Sequence, residues 1–170
     1  PIAYEGYPFI AIAVFLALIF AIIDVPFLLF IALVATAFTT YFFRDPERFV
    51  PDLDDAVISP ADGKIIVIDT VEDENFTEQK ALKVSIFMNV FNVHVNRIPI
   101  DGVVDKILYK PGKFYSADSK KSEQYNEYCA ALMTTKNGQK LAFVQIAGLI
   151  ARRIVCWLEP GDAIKKGRRF

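Results

Sequence analysis

Residues 81–115 read ALKVSIFMNVFNVHVNRIPIDGVVDKILYKPGKFY, and this stretch decides the fold class. Apolar and polar residues alternate through its first half, which is the period of a half-buried β-strand. Asp-Gly at 101–102 and Pro-Gly at 111–112 then interrupt the pattern, as turns do. We expect two or three strands here, one of them carrying His94, which is the only histidine in the chain.

Similar patterns lie on both sides of this stretch. KIIVIDTV (64–71) and EYCAALMTT (127–135) each predict one strand, and residues 140–162 predict two more. The Asn-Gly pair at 137–138 is typical of a β-hairpin turn. Short strands at this spacing indicate a mainly β fold, either a sandwich or a partly open barrel similar to the barrel-sandwich domains.

The N-terminal residues have a different composition. Apolar runs at 9–23 and 27–43 flank the segment DVP, and Asp24 is the only charged residue between positions 8 and 43. They predict an α-helical hairpin, with Asp24 in its turn or as a cap. Each run is shorter than the ~20 residues of a comfortable membrane span. A tight transmembrane hairpin, a shallower hairpin in one leaflet and the core hairpin of a soluble protein all remain open.

The charges after the second run predict the orientation. Arg44 and Arg48 follow it directly, and positive charge marks the cytoplasmic side of a membrane. We therefore expect the protein at the cell membrane with its β-rich domain on the cytoplasmic side. The predicted domains are a membrane-associated hairpin at 1–43, a linker at 44–60 and a β-rich domain at 61–170.

Composition excludes some classes of function. After residue 43 the chain has 19 Lys and Arg against 18 acids, which gives no reason to propose a nucleic-acid partner. Cys129 and Cys156 are far apart and lack CxxC spacing, so we interpret them as buried reduced thiols. One histidine and two separated cysteines predict no metal site.

The chain contains none of the common catalytic motifs. It has no GxSxG elbow, no Walker A sequence and no GxGxxG fingerprint. Lys64 follows Ala-Asp-Gly, which leaves one alternative: a membrane-anchored lipoyl- or biotinyl-like carrier or adaptor with that lysine at a hairpin tip. A solvated turn lysine, in a structural β domain tethered to the membrane, is another alternative.

A series of spaced motifs resembles one known family over essentially the whole chain. These are YFFRDPER (41–48), SPADGKI (59–65), SIFMNVFNVHVNRIPIDG (85–102), VQIAGLIARRIVCW (144–157) and PGDAIKKGRRF (160–170). Together they closely resemble the short form of the phosphatidylserine decarboxylase family, some members of which act as archaetidylserine decarboxylases.

The resemblance implies a proenzyme. Such precursors cut themselves at a Gly-Ser bond shortly after a segment like KKGRRF, and the serine becomes a pyruvoyl group at the start of a small α subunit. This chain then corresponds to the larger β subunit. The implied partners are the α subunit, a serine phospholipid and the membrane, and αβ units can associate further.

The implied reaction makes His94 the main candidate for catalysis. Loss of CO2 from the serine head group leaves a carbanion, and a Schiff base to the pyruvoyl group takes up its electrons. An acid must then protonate the carbon to give the ethanolamine lipid. His94 has the only side chain in the chain whose ordinary pKa suits that step.

Self-cleavage needs a base and an orienting carboxylate, as in the serine-protease triad. Asp62 matches the aspartate to which the family gives that role. Longer members have a second histidine close to the position of Arg97, and arginine is no base at ordinary pH. Either His94 serves both steps or Asp62 acts more directly, and Arg97 is a candidate ligand of the substrate carboxylate or phosphate.

Arg152 and Arg153 are the remaining candidates for substrate binding. In a strand they point to opposite faces, so that one meets the lipid phosphate while the other pairs with a carboxylate. The sequence does not decide between them. Asn126 also belongs to a family motif, and a structural role in a turn suffices for it.

Overall fold

The computed structural model of the chain describes residues 1–53, 56–116 and 119–170. These residues form two compact units. The first contains Pro1–Arg48 and Val90–Val95, and the second contains Phe49–Asn89 and Asn96–Phe170. Apolar helices dominate the first unit and antiparallel strands the second, so the predicted mainly β class with an N-terminal helical hairpin is confirmed.

The first unit is built on the helical hairpin. A single 3-10 turn at Tyr4–Gly6 leads into α1 (Tyr7–Ile22), and α2 spans Pro26–Phe42. Proline fits the first turn of α2 because the amide hydrogen that it lacks has no helical partner there. Asp24 lies in the turn between the helices at φ 55, where Asp is tolerated better than most residues.

The helices are apolar around their whole circumference, and their hydroxyls are satisfied internally. Thr36, Thr39 and Thr40 each donate to the carbonyl four residues earlier, at 2.8 Å. Tyr4–Ile22 forms one helical stretch that is long and apolar enough to cross a membrane, whereas α2 is apolar but shorter. At ~1.5 Å per residue this stretch measures about 28 Å, close to the ~30 Å of a bilayer core.

The second unit contains two separate antiparallel sheets. The smaller pairs β1 with β2, and the larger has the order β5-β4-β3-β6. The elements of this unit are β1 (Lys64–Asp73), β2 (Gln79–Phe87), β3 (Gly102–Lys110), α3 (Lys120–Tyr125), β4 (Tyr128–Thr135), β5 (Lys140–Ile146) and β6 (Ala163–Ile164). The β4–β5 turn contains Gly138 at φ 77, as the Asn-Gly pair predicted.

The predicted strand through His94 is wrong. Regular β2 ends at Phe87, and beyond it the segment 90–95 packs with the helices of the first unit. Its apolar alternation reflects this packing, since Val93 is buried without any sheet partner. The alternation of apolar residues therefore predicted burial correctly and strand pairing incorrectly.

The second strand predicted within 140–162 is also wrong. β5 ends at Ile146, and Gly148 donates to the Ala151 carbonyl (2.9 Å) in a tight loop. Residues 151–159 have no helix or strand. Chain pairing resumes only at the two-residue β6. The sequence pattern gave no signal for the short helix α3, which Ser119 caps by accepting from the Lys121 amide (3.3 Å).

The core of the second unit gathers buried side chains from the larger sheet, from 98–100 and from the C-terminal segment. Ile98 and Met133 are fully buried. The core cluster consists of Ile98, Ile100, Val104, Ala131, Met133, Phe143, Ile164 and Phe170. Phe170 packs edge-on against Phe143, with ring centroids 4.6 Å apart. The last residue of the chain is thus part of the core.

Asn126 tests the energetics of this unit. Its buried amide accepts from the Tyr115 amide and donates to the Tyr115 and Ala147 carbonyls, each at 2.8 Å. Asn126→Leu should lower the free energy of unfolding by about 2 kcal/mol or more, because one buried and two partly buried backbone groups lose their partner. Urea denaturation measures this. Exposed Asn75→Ala is the control, with an expected change within ~0.5 kcal/mol; equal effects would contradict the assignment.

Candidate functional site

His94 lies against the C-terminal end of α2 in the first unit. Its ring stacks on Phe42, with centroids 4.3 Å apart and planes 26° from parallel. Arg44 fixes the neighbouring backbone, since its guanidinium donates to the carbonyls of Phe91 (2.7 Å) and Tyr41 (3.0 Å). These contacts hold a half-buried imidazole in one place at the end of an apolar helix.

The hydrogen bonding of His94 determines its tautomer. Nδ1 lies 3.0 Å from the Asn92 carbonyl oxygen, which can only accept, so Nδ1 carries the proton. In the neutral ring Nε2 is then the proton acceptor. Burial lowers the pKa of His94 below 6.5, and the nearby Arg44 charge lowers it further, although the Asn92 contact opposes both. At neutral pH this side chain is a base.

The lowered pKa of His94 can be measured directly, because a single histidine gives a single set of imidazole signals. NMR titration should give a pKa below 6.5, and Phe42→Ala should raise it by exposing the ring. Phe38→Ala is the matched control, since Phe38 lies one turn earlier on α2 and its ring pairs with Phe42. A pKa at or above 6.5 in the unchanged protein would contradict this assignment.

The same shift has a consequence for stability. The unfolded chain binds the His94 proton more readily than the folded chain does, so this group destabilises the fold as pH falls through about 6.5 toward the lower folded pKa. Above 6.5 the effect is absent. Between pH 7.5 and 5.5 the melting temperature of His94→Phe should therefore fall less than that of the unchanged protein. Thermal unfolding at the two pH values measures both changes.

Asp62 lies in a turn at the start of β1, in the second unit. The Pro60 carbonyl accepts from the Arg97 amide (2.9 Å), and the Ser59 hydroxyl donates to the Ala61 carbonyl (2.7 Å). The turn ends at Gly63, where the backbone runs close to the Phe87 carbonyl. A Cβ at this position would overlap that carbonyl, so glycine is required here. The turn carrying Asp62 is therefore held against the backbone of Arg97.

Lys64 does not occupy the tip of a hairpin. It opens β1 opposite Phe87, while the turn of the β1–β2 hairpin lies at the far end, after Asp73. The carrier alternative depended on a lysine at such a tip, and the structure removes that support.

Arg97 binds the C-terminal segment of the chain. Its guanidinium Nη1 donates to the Gly167 carbonyl (3.1 Å), and its backbone forms an isolated antiparallel bridge with Arg169. The guanidinium thus contacts a protein carbonyl. The predicted role of Arg97 in binding the substrate carboxylate or phosphate is not tested by these contacts and stays a prediction.

The C-terminal segment pairs with residues 96–98. Ile98 donates to the Arg168 carbonyl (2.8 Å), Gly167 donates to the Ile98 carbonyl (2.8 Å), and Phe170 donates to the Asn96 carbonyl (3.3 Å). Gly167 has φ +81, and a Cβ there would overlap the Val50 side chain. Sequence reasoning missed this pairing, because the contacts join positions about 70 residues apart and the segment lacks strand periodicity.

Arg152 and Arg153 are both exposed and lie outside any strand, so the premise of opposite strand faces is wrong. Arg152 Nε donates to the Leu149 carbonyl (2.9 Å), and its guanidinium carbon lies 5.7 Å from the centroid of the Phe114 ring. A local loop at Gly148 thus orients Arg152.

The two cysteines are free, as predicted, and they interact with each other. Cys129 lies buried in β4, whereas Cys156 is half-buried in the irregular segment after β5. The hydrogen bond between the thiols raises the pKa of Cys129 and lowers the pKa of Cys156 to about 6. Cys156 is therefore the thiol of the pair that loses its proton first. Their sequence spacing gave no signal for this contact.

The second unit brings together the turn of Asp62, Arg97 and the C-terminal segment, through the backbone and side-chain contacts of Arg97. His94 belongs to the first unit. Within residues 1–53, 56–116 and 119–170, no cluster of three or more His, Cys, Asp or Glu side chains could hold a metal ion.

Comparison with known proteins gives a consistent result. The family model described as phosphatidylserine decarboxylase matches residues 35–170. A phosphatidylserine decarboxylase proenzyme of Desulfotalea psychrophila is 66% identical over 169 residues, which cover 99% of this chain and 79% of that protein. Proenzymes of the same name from Syntrophus aciditrophicus and Rickettsia akari are both 49% identical, over 99% and 98% of this chain and 80% and 73% of theirs.

Proposed function

Because this chain belongs to the phosphatidylserine decarboxylase family, whose members are enzymes made as proenzymes, we propose that it is the β chain of a pyruvoyl-dependent phospholipid decarboxylase. Its partner is an α chain cut from the same precursor, and its substrate is a serine phospholipid, phosphatidylserine or archaetidylserine. The observation that carries the catalytic part of the proposal is the neutral, desolvated state of His94.

A pyruvoyl group on the α chain would supply a carbonyl that binds the substrate amine and accepts the electron pair left on the substrate carbon when CO2 departs. This chain contributes proton transfer. His94 fits that need, because Asn92 fixes its Nδ1 proton and leaves Nε2 as the acceptor. A base that has taken a proton at Nε2 during substrate binding can return it to the substrate carbon, which is general acid catalysis.

Asp62 and Arg97 serve self-cleavage in this proposal. Asp62 orients the base or acts on the serine hydroxyl directly. Arg97 holds the segment that precedes the cut, and its contact with the Gly167 carbonyl supports this role. A fixed guanidinium cannot replace the second histidine as a base, so proton transfer in processing is assigned to His94 or Asp62.

The helical hairpin anchors the enzyme at the membrane. We propose that residues 1–43 associate with the bilayer, that 44–60 link them to the rest, and that the β-rich domain of 61–170 lies on the cytoplasmic side, because Arg44 and Arg48 follow α2. Asp54 and Asp55 of the linker lie outside the described residues.

Exposed Arg152 and Arg153 are the proposed contacts of the lipid phosphate and carboxylate. Association of αβ units into larger oligomers stays a prediction.

The chemical test uses the full precursor. After purification, mass spectrometry should detect two chains, the smaller with a blocked N-terminus that a hydrazide probe labels as a ketone. Vesicles containing phosphatidylserine should yield phosphatidylethanolamine and CO2. A precursor that stays intact, or two chains without a ketone, would overturn the proposal.

His94→Ala should reduce decarboxylation by roughly 10²–10⁴-fold, because the proton-transfer group is removed. The proportion of cleaved chains is measured in the same samples, and turnover is expressed per cleaved enzyme. Phe91→Leu is the control in the same segment, since the Phe91 side chain is exposed. Unchanged turnover per cleaved His94→Ala enzyme would remove His94 from the mechanism.

Asp62→Asn should slow cleavage of the precursor by roughly 10²-fold or more, since an amide cannot act as the orienting carboxylate or the base. A time course of precursor and product bands after cell-free synthesis measures the rate. Asp69→Asn is the matched control, because Asp69 is exposed on β1 and accepts only from the neighbouring Thr70 amide in the contacts seen here. Equal rates for Asp62→Asn and the unchanged protein would exclude Asp62 from processing.

A further inference from the structure

Asn96 presents a buried polar atom that the described structure leaves unsatisfied. The residue is 9% exposed, and among the described residues no donor reaches its Oδ1. A buried amide oxygen without a partner costs roughly 1–3 kcal/mol, so native proteins rarely keep one without a reason. Hydrogen bonding from a segment that continues the chain past Phe170 would supply that reason.

The register of the C-terminal segment shows where such a segment would run. Arg97 pairs with Arg169, so Asn96 lies opposite Phe170, and the Phe170 amide donates to the Asn96 carbonyl at 3.3 Å. In an antiparallel pair a side chain contacts the residue opposite it and the residues two positions away on the partner strand. For Asn96 the diagonal neighbours are Arg168 and the second residue after Phe170.

The end of the segment is held firmly enough to direct the path of the residues beyond it. Phe170 is buried at 8% exposure and packs on Phe143, and the Arg97 guanidinium holds the Gly167 carbonyl. A chain that leaves this anchor in an extended conformation passes the side chain of Asn96.

We propose that Asn96 Oδ1 accepts a hydrogen bond from the first two or three residues after Phe170 in the precursor, and that Asn96 thereby positions the segment containing the cleaved bond. The inference rests on the proposed function, in which a precursor continues past Phe170 and cuts itself. Asn96 is a positioning residue and takes no proton in the reaction.

The test compares precursor cleavage in matched variants. Asn96→Leu keeps the side-chain volume and removes the acceptor, so cleavage should slow at least tenfold with little change in melting temperature. Asn96→Asp keeps an acceptor oxygen in place and should cleave faster than Asn96→Leu. Gln145→Leu removes the other buried amide oxygen that lacks a partner among the described residues, Oε1 of Gln145 in β5, and should cleave at the unchanged rate.

Each outcome decides the inference separately from the proposed function. Wild-type cleavage in Asn96→Leu overturns the role of Asn96, although two chains and decarboxylation would still support the enzyme. Equal slowing in Asn96→Leu and Gln145→Leu also overturns it, because general destabilisation then explains both. Failure of the unchanged precursor to cleave overturns the proposed function itself.

A measurement on the slowly cleaving Asp62→Asn precursor covers the case in which Asn96→Leu does not fold. Hydrogen–deuterium exchange measured by mass spectrometry should show slow exchange at the amides directly after Phe170, comparable to that of Ile98 and Phe170. Rapid exchange at those amides would mean that the segment leaves the anchor without pairing, and the inference would fail.

Discussion

The pairing of residues 96–98 with 167–170 is the constraint on which the second unit depends. Three backbone hydrogen bonds and the Arg97 guanidinium join segments about 70 residues apart, and Phe170 completes the core beside Phe143. Loop closure over this length costs entropy that only buried apolar area repays. The same pairing holds the turn of Asp62 through the Arg97 amide, so core and candidate site share one set of contacts.

The chemistry of this chain is that of a partial active site. It offers a neutral histidine whose tautomer is fixed by one carbonyl, and a carboxylate in a constrained turn. Neither group stabilises a carbanion, because that requires an electron sink which ordinary side chains do not provide. In the proposed function this chain provides proton transfer, and a group carried by its partner provides electron withdrawal.

Arg97 illustrates how one substitution changes a site. Where longer relatives are expected to have a second histidine, this chain has a permanently charged group whose fork of donors suits carbonyl and carboxylate oxygens. The structure directs it to the Gly167 carbonyl. This contact fixes the C-terminal segment. In the proposed function, proton transfer is then assigned to His94 or Asp62, because arginine is no base at ordinary pH.

The sequence by itself determined the helical hairpin, most strands of the β domain, the family and the identity of the candidate residues, because local periodicity, turn pairs and motif order are properties of neighbouring positions. Only the tertiary structure decided that the segment around His94 packs with α2 instead of forming a strand, that residues 151–159 are irregular, that Cys129 meets Cys156, and that Arg97 and Asn96 face the C-terminal segment. These features depend on contacts between distant positions. A period of two signals that a side chain is buried, but it cannot tell what buries it.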